Sequence, residues 1–123
     1  MTTVAKLILM HRGTAIRSIA VDKDEMLIGR HSESDIQLDD GSVSARHARL
    51  SRLASPYLEG HHDVFLEDLA STNGTEVNAR RIKQVRLQNG DRIRIGRHHF
   101  QFELEPDRGI ESTAILIPGS EGG

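Results

Sequence analysis

Apolar residues recur along this chain with a period of two. KLILMH, AIRSIAV, MLIGR, DIQL, HARLSRL, DVFLEDL, TEVN, KQVRL, DRIRIG and HHFQFEL are all short runs. RGT, DKDE, HSES, DDGS, ASPYLEGHH, ASTNG and QNG punctuate them, each supplying turn-forming Gly, Asp, Asn or Ser. Alternation of this kind places one side of a strand in a core and the other in water. In DRIRIG, Ile93 and Ile95 face one way and Arg92 and Arg94 the other; in HHFQFEL, Phe100, Phe102 and Leu104 alternate with Gln101 and Glu103. No 12-residue segment carries a helical stripe with caps at both ends. Ten or so short strands at this spacing predict an all-β sandwich.

The pattern ends at Glu105. The reading is one domain over residues 4–105, followed by a flexible tail or linker over residues 106–123 of the 123-residue chain. Aromatic residues make up 3% of the chain and charged ones 28%, so Ile, Leu and Val must build the core. The chain has no cysteine, which excludes disulfides, thiolate metal sites and a Cys nucleophile. The opening MTTVAKLILMHRG is too short in its apolar run for a signal peptide, and no stretch approaches membrane-spanning length, so a cytoplasmic protein without a membrane partner is expected. The net charge of −2 resides in the tail, where Asp107, Glu111 and Glu121 outnumber Arg108. A neutral, aromatic-poor domain lacks the footprint of a general nucleic-acid binder.

Three inter-strand segments carry specific chemistry. After MLIGR, Gly29 lets the backbone leave the sheet and Arg30 presents a planar, five-donor guanidinium suited to phosphate or carboxylate. GSVSARHARL offers the Ser42 and Ser44 hydroxyls just ahead of a strand opened by His47. STNGT offers the Thr72 hydroxyl, the Asn73 amide and the backbone N–H groups around Gly74. These groups bind an oxyanion and clasp a neighbouring backbone; none forms a nucleophile and tuned base, so binding is favoured over catalysis and no cofactor is called for. Seven histidines raise the question of a metal, but His98 and His99 are adjacent on a strand and point to opposite faces, and no metal site is predicted.

Gly29-Arg30, Ser44-x-x-His47, Ser71-Thr72-Asn73-Gly74-Thr75 and Asn78, in this order on this strand pattern, resemble the forkhead-associated (FHA) domain family over roughly residues 4–105. The resemblance implies a β-sandwich of about eleven mainly antiparallel strands with the functional loops at one end. It implies binding of phosphothreonine peptides, with Arg30 and Ser44 on the phosphate, Thr72 supporting them and Asn73 on the peptide backbone. Gly29, His47, Gly74 and Asn78 are then architectural, and Ser42, Arg80 and Arg81 are auxiliary candidates. The chain departs from the family at Ala45, where many members carry Arg, Lys or Asn, and at Asn78-Ala79, usually Asn-Gly.

The partner implied is a phosphothreonine-containing protein in a Ser/Thr kinase pathway, the kinase itself or one of its substrates. Thr113, in the tail segment ESTAIL, is a candidate phosphosite through which the chain would associate with itself. The competing reading is a scaffold or oligomerisation module that uses a sheet face without regard to phosphorylation.

Overall fold

The computed structural model describes residues 3–57 and 61–106; Thr113 and the rest of the tail lie outside them. Eleven strands form, in the order β1 (Thr3–His11), β2 (Thr14–Val21), β3 (Glu25–Gly29), β4 (Ile36–Gln37), β5 (Ala48–Ala54), β6 (His62–Asp68), β7 (Thr75–Val77), β8 (Arg80–Ile82), β9 (Gln84–Arg86), β10 (Arg92–Ile95) and β11 (His98–Pro106). They make two sheets: six strands in the order β2-β1-β11-β10-β7-β8 and five in the order β4-β3-β5-β6-β9. Every pairing is antiparallel except β3 with the two-residue β4. Among the described residues no helix is long and apolar enough to cross a membrane.

The alternation read from the sequence sets the packing. Ile93 pairs with Phe100, Phe102 with Leu7, and all four are buried on the inner face of the six-stranded sheet. Leu50 pairs with Met26 on one side and Leu66 on the other, lining the inner face of the five-stranded sheet. Each such side chain contributes roughly 1.5–3 kcal/mol by burial, and two phenylalanines supply the bulk that the aliphatic residues lack.

The strand absent from the ten sequence runs is β8. Arg80-Arg81-Ile82 has no alternation to betray it; it pairs with β7 because Asn78 (φ 53°) and Ala79 (φ 69°) both sit in the left-handed region and turn the chain back in two residues. Tertiary pairing, not propensity, makes it a strand. β2 is an edge strand exposed over most of its length, and a register shift opposite Leu9 and Met10 disturbs its alternation.

β1 and β11 pair along their whole length, from Thr3 opposite Pro106 to Met10 opposite His99. Both ends of the domain therefore emerge together. At the opposite end lie the β1–β2 and β10–β11 turns, the exit from β3, the segment between β4 and β5, and the segment between β6 and β7.

Candidate functional site

Past the end of β3 the backbone continues to pair with the segment before β5. Arg30 N–H donates to the Ser44 carbonyl (2.9 Å) and His31 N–H to the Ala45 carbonyl (3.2 Å). Gly29 is buried beneath this contact: a Cβ there would lie 2.9 Å from the Ala45 carbonyl carbon and closer still to its oxygen. The glycine is thus required by close approach of a second backbone rather than by a turn, a different reason from the one its position before Arg30 suggested; its φ is not in the left-handed region.

His47 is fully buried and ties two loops together. Its Nδ1 accepts from the Ser44 N–H (3.0 Å), and its Nε2 faces the Gly74 carbonyl (2.9 Å). An acceptor at one nitrogen and a donor at the other is one neutral tautomer, so both ring nitrogens are engaged inside the fold and neither is free to serve as a base.

A further bond crosses between the same loops: Thr72 N–H donates to Ser44 Oγ (3.0 Å). With a lone pair used inward, the Ser44 hydroxyl hydrogen is left to point at a bound acceptor. Asn73 Nδ2 donates to the Ser42 carbonyl (3.0 Å), leaving its Oδ1 and second amide hydrogen directed outward. Arg30 is exposed, and among the described residues its guanidinium has no ion-pair or hydrogen-bond partner. Asp35, a candidate partner by proximity in sequence, is occupied by Lys23 Nζ and the Leu27 N–H, each at 2.8 Å. Arg30, Ser42, Ser44, Thr72 and Asn73 line one shallow hollow of about 170 Å³.

Asp68 organises the Ser71–Thr75 turn and was not apparent in the sequence. Its carboxylate accepts from the hydroxyls of Ser71 and Thr75 (the latter at 2.7 Å) and from the Ser71 N–H (3.1 Å), while Ser71 Oγ accepts from the Gly74 N–H (2.9 Å). Partial burial works to raise the Asp68 pKa, but these donors outweigh it and hold the group below its ordinary value. The signal was available as an Asp three residues ahead of Ser71. Gly74, at φ 84°, completes the turn, and Arg81 lies against it: a Cβ at Gly74 would come within 2.6 Å of Arg81 Nε.

A second overlooked carboxylate, Asp40, fixes the other loop. It accepts from the Ser42 hydroxyl and the Ser42 N–H (2.7 Å), and its second oxygen meets His98 Nε2. The Ser42 hydroxyl also accepts from Arg97 N–H at 3.2 Å, so Ser42 is committed to bracing its loop against the β10–β11 turn. The Ser42 bonds chiefly, with His98, pull the Asp40 pKa down to about 2 against a smaller opposing effect of burial. Asn78 stands away from the hollow, where it receives the Arg92 N–H (3.0 Å) and donates to Asp91 (2.9 Å). Arg80 lies beside Val77 on the other face of β8 from Arg81. Arg46, also passed over, is exposed beside Ala45 with no partner among the described residues.

The hollow is a set of donors held by main-chain bonds, with a cation that has no internal anion, a combination suited to holding a tetrahedral oxyanion. The FHA domain model matches residues 26–96, which contain every group just described except Lys23, Arg97 and His98. The glycogen accumulation regulator GarA of Mycobacterium tuberculosis is 35% identical over 118 residues, covering 95% of this chain and 65% of the relative. The oxoglutarate dehydrogenase inhibitor of Corynebacterium efficiens is 39% identical over 101 residues, covering 81% of this chain and 66% of the relative. The chain thus spans about 65% of the length of these curated relatives. Among solved structures, an FHA domain from a structural and functional analysis of phosphothreonine-dependent FHA domain interactions superposes with a TM-score of 0.69 at 29% identity, covering 84% of this chain and 98% of that one. Mycobacterium tuberculosis EmbR, in complex with a low affinity phosphopeptide, gives 0.68 at 35% identity, covering 81% of this chain and 24% of EmbR. Strand order, loop motifs and these relationships together make the chain a member of the FHA-domain family.

Proposed function

We propose that this domain binds phosphothreonine-containing proteins in Ser/Thr kinase signalling, acting as an adaptor rather than a catalyst. The observation that carries the reading is Arg30: an exposed guanidinium without an acid partner among the described residues, at the mouth of the hollow where the Ser44 hydroxyl hydrogen is free to donate. A phosphate monoester brings about −1.5 to −2 charges near pH 7 and three acceptor oxygens. Arg30 and Ser44 take the phosphate, Thr72 lies beside them, and Asn73 Oδ1 takes a peptide N–H.

The relatives named as regulators or inhibitors make an enzyme of central metabolism the first class of partner to try. Self-association through a phosphorylated Thr113 has a geometric consequence. Seven residues beyond Pro106 span at most about 25 Å, whereas β11 alone runs about 27 Å from Pro106 back to the end that bears the hollow. The two lengths differ by less than the reach of a phosphothreonine side chain, so a phosphorylated Thr113 suits the hollow of its own chain only when fully extended, and that of a second copy without this demand.

The test is calorimetric titration with a phosphothreonine peptide, its phosphoserine and unphosphorylated counterparts, and an Arg30→Ala variant. Binding confined to phosphorylated peptide and weakened about 10- to 150-fold by Arg30→Ala is expected, from roughly 1.5–3 kcal/mol for bonds to a charged group. Equal binding of phosphorylated and plain peptide, or binding indifferent to Arg30, would overturn it.

A further inference from the structure

The outer face of the six-stranded sheet carries a second feature, a groove of about 560 Å³ that starts at the β1–β2 and β10–β11 turns and runs down the face towards Arg92. Arg12, Arg92 and Arg97 border it together with His11 and His99, half-buried Met10 adds apolar surface, and no Asp or Glu lines it. On the same face Lys6 pairs with Glu105 and Arg94 with Glu76, and Glu103 accepts from Gln101 Nε2 (3.1 Å). Among the described residues, the guanidiniums of Arg12, Arg92 and Arg97 have no such partner. Three unmatched cations converging on an apolar strip in a domain of near-zero net charge form a local positive field, and such a field selects an anionic ligand.

The groove and the hollow share no lining residue, but one bond joins a residue of each. Arg97, at the groove's upper end, donates its backbone N–H to Ser42 Oγ, and Ser42 lines the hollow. A chain bound at Arg30 and Ser44 and leaving past Ser42 meets Arg97 next.

We propose that this groove is a second docking site, taken by an acidic segment with an apolar residue belonging to the same phosphorylated partner. The proposal rests on the phosphothreonine reading for its first anchor. It assigns the groove the role of a second anchor that raises affinity through effective concentration. Arg12, Arg92 and Arg97 meet the carboxylates, and Met10 meets the apolar side chain.

The experiment uses the full chain and two fluorescent probes, a short phosphothreonine peptide with Ala flanks and the same peptide joined through a Gly-Ser linker to Glu-Glu-Leu-Glu-Glu. The expected result is that the joined probe binds at least tenfold tighter than the short one, that Arg12→Glu with Arg92→Glu abolishes that gain, and that the short probe's Kd stays within twofold. An unchanged melting temperature shows that the double variant is folded. No gain in the wild-type chain, or a gain that survives the double variant, overturns the proposal. The unlinked Glu-Glu-Leu-Glu-Glu peptide, followed by NMR shifts of the Arg92 and His99 amides, separates the two readings: if Arg30→Ala leaves the short probe unaffected while these amides still shift, the phosphothreonine reading has failed and the second-anchor role with it, although the groove still takes an acidic segment. Concentration-dependent dimers abolished by the double variant would assign the groove to a second copy and overturn the partner proposed.

Discussion

His47 Nε2 reaches the Gly74 carbonyl across 27 positions of sequence, at 2.9 Å, while the same ring receives the Ser44 amide. One buried side chain thereby sets the spacing between the two loops that carry the hydroxyls and amides of the hollow.

His47→Ala is expected to cost about 3 kcal/mol or more, because it leaves the Ser44 N–H and Gly74 carbonyl without their partner and opens a cavity. Thermal unfolding should show the midpoint falling by ten degrees or more for a domain of this size. Ser44→Ala keeps the amide bond to His47 and should cost no more than about 1 kcal/mol while weakening phosphopeptide binding; equal stability losses in the two variants would contradict this division of roles.

Gly29→Ala and Gly41→Ala make a matched pair. The first drives a Cβ into the Ala45 carbonyl and the second meets nothing within 4 Å. Urea denaturation should give a loss of roughly 2–3 kcal/mol for Gly29→Ala and a change within about 0.5 kcal/mol for Gly41→Ala. A silent Gly29→Ala would mean that the exit from β3 can move away from the segment before β5.

Ala79→Gly should stabilise the protein. Ala79 holds a φ of 69° in a two-residue hairpin turn, a conformation costly for a residue with a Cβ. After allowing for the entropy glycine loses on folding, the net gain is about 0.5–1 kcal/mol, seen as a rise of a few degrees in Tm. A lower Tm would show that the alanine methyl makes a contact worth more than the strain.

Acid should weaken the bracing of the Ser42 loop. Asp40 titrates at about 2 in the folded protein against an ordinary 3.8, so its contribution to stability is complete above the higher value and is lost as pH falls towards the lower one. Asp35 and Asp68 are also lowered and act in the same sense. Unfolding free energies measured between pH 5 and pH 2 should decline over that window, with a shallower decline in Asp40→Asn, and the Ser42 and Arg97 amide shifts should move with it. A slope indifferent to Asp40→Asn would remove the carboxylate from this role.

The sandwich was legible because its core strands alternate cleanly: Ile93, Ile95, Phe100 and Phe102 can take only one face. β8 was not, since Arg80 and Arg81 hide a strand that exists only by pairing with β7. The motif residues of the hollow could be picked out by kind and order. Asp68 and Asp40 were passed over, because Asp68 reads as the end of a strand and Asp40 as an ordinary turn residue until the hydroxyls that converge on them are brought close by folding. Gly29 shows a subtler limit: its identity was legible, but the reason for it is a carbonyl sixteen residues away that no local pattern reveals.

Because β1 and β11 bring both ends of the domain out side by side, at the end away from the hollow, the fold behaves as a plug-in part. A longer polypeptide can accept it at a single surface point, as an insertion or at either terminus, without threading a linker across the recognition loops. Recombination can then move such a reader among unrelated hosts with its specificity intact, and a host gains a sensing head that projects outward from its point of attachment.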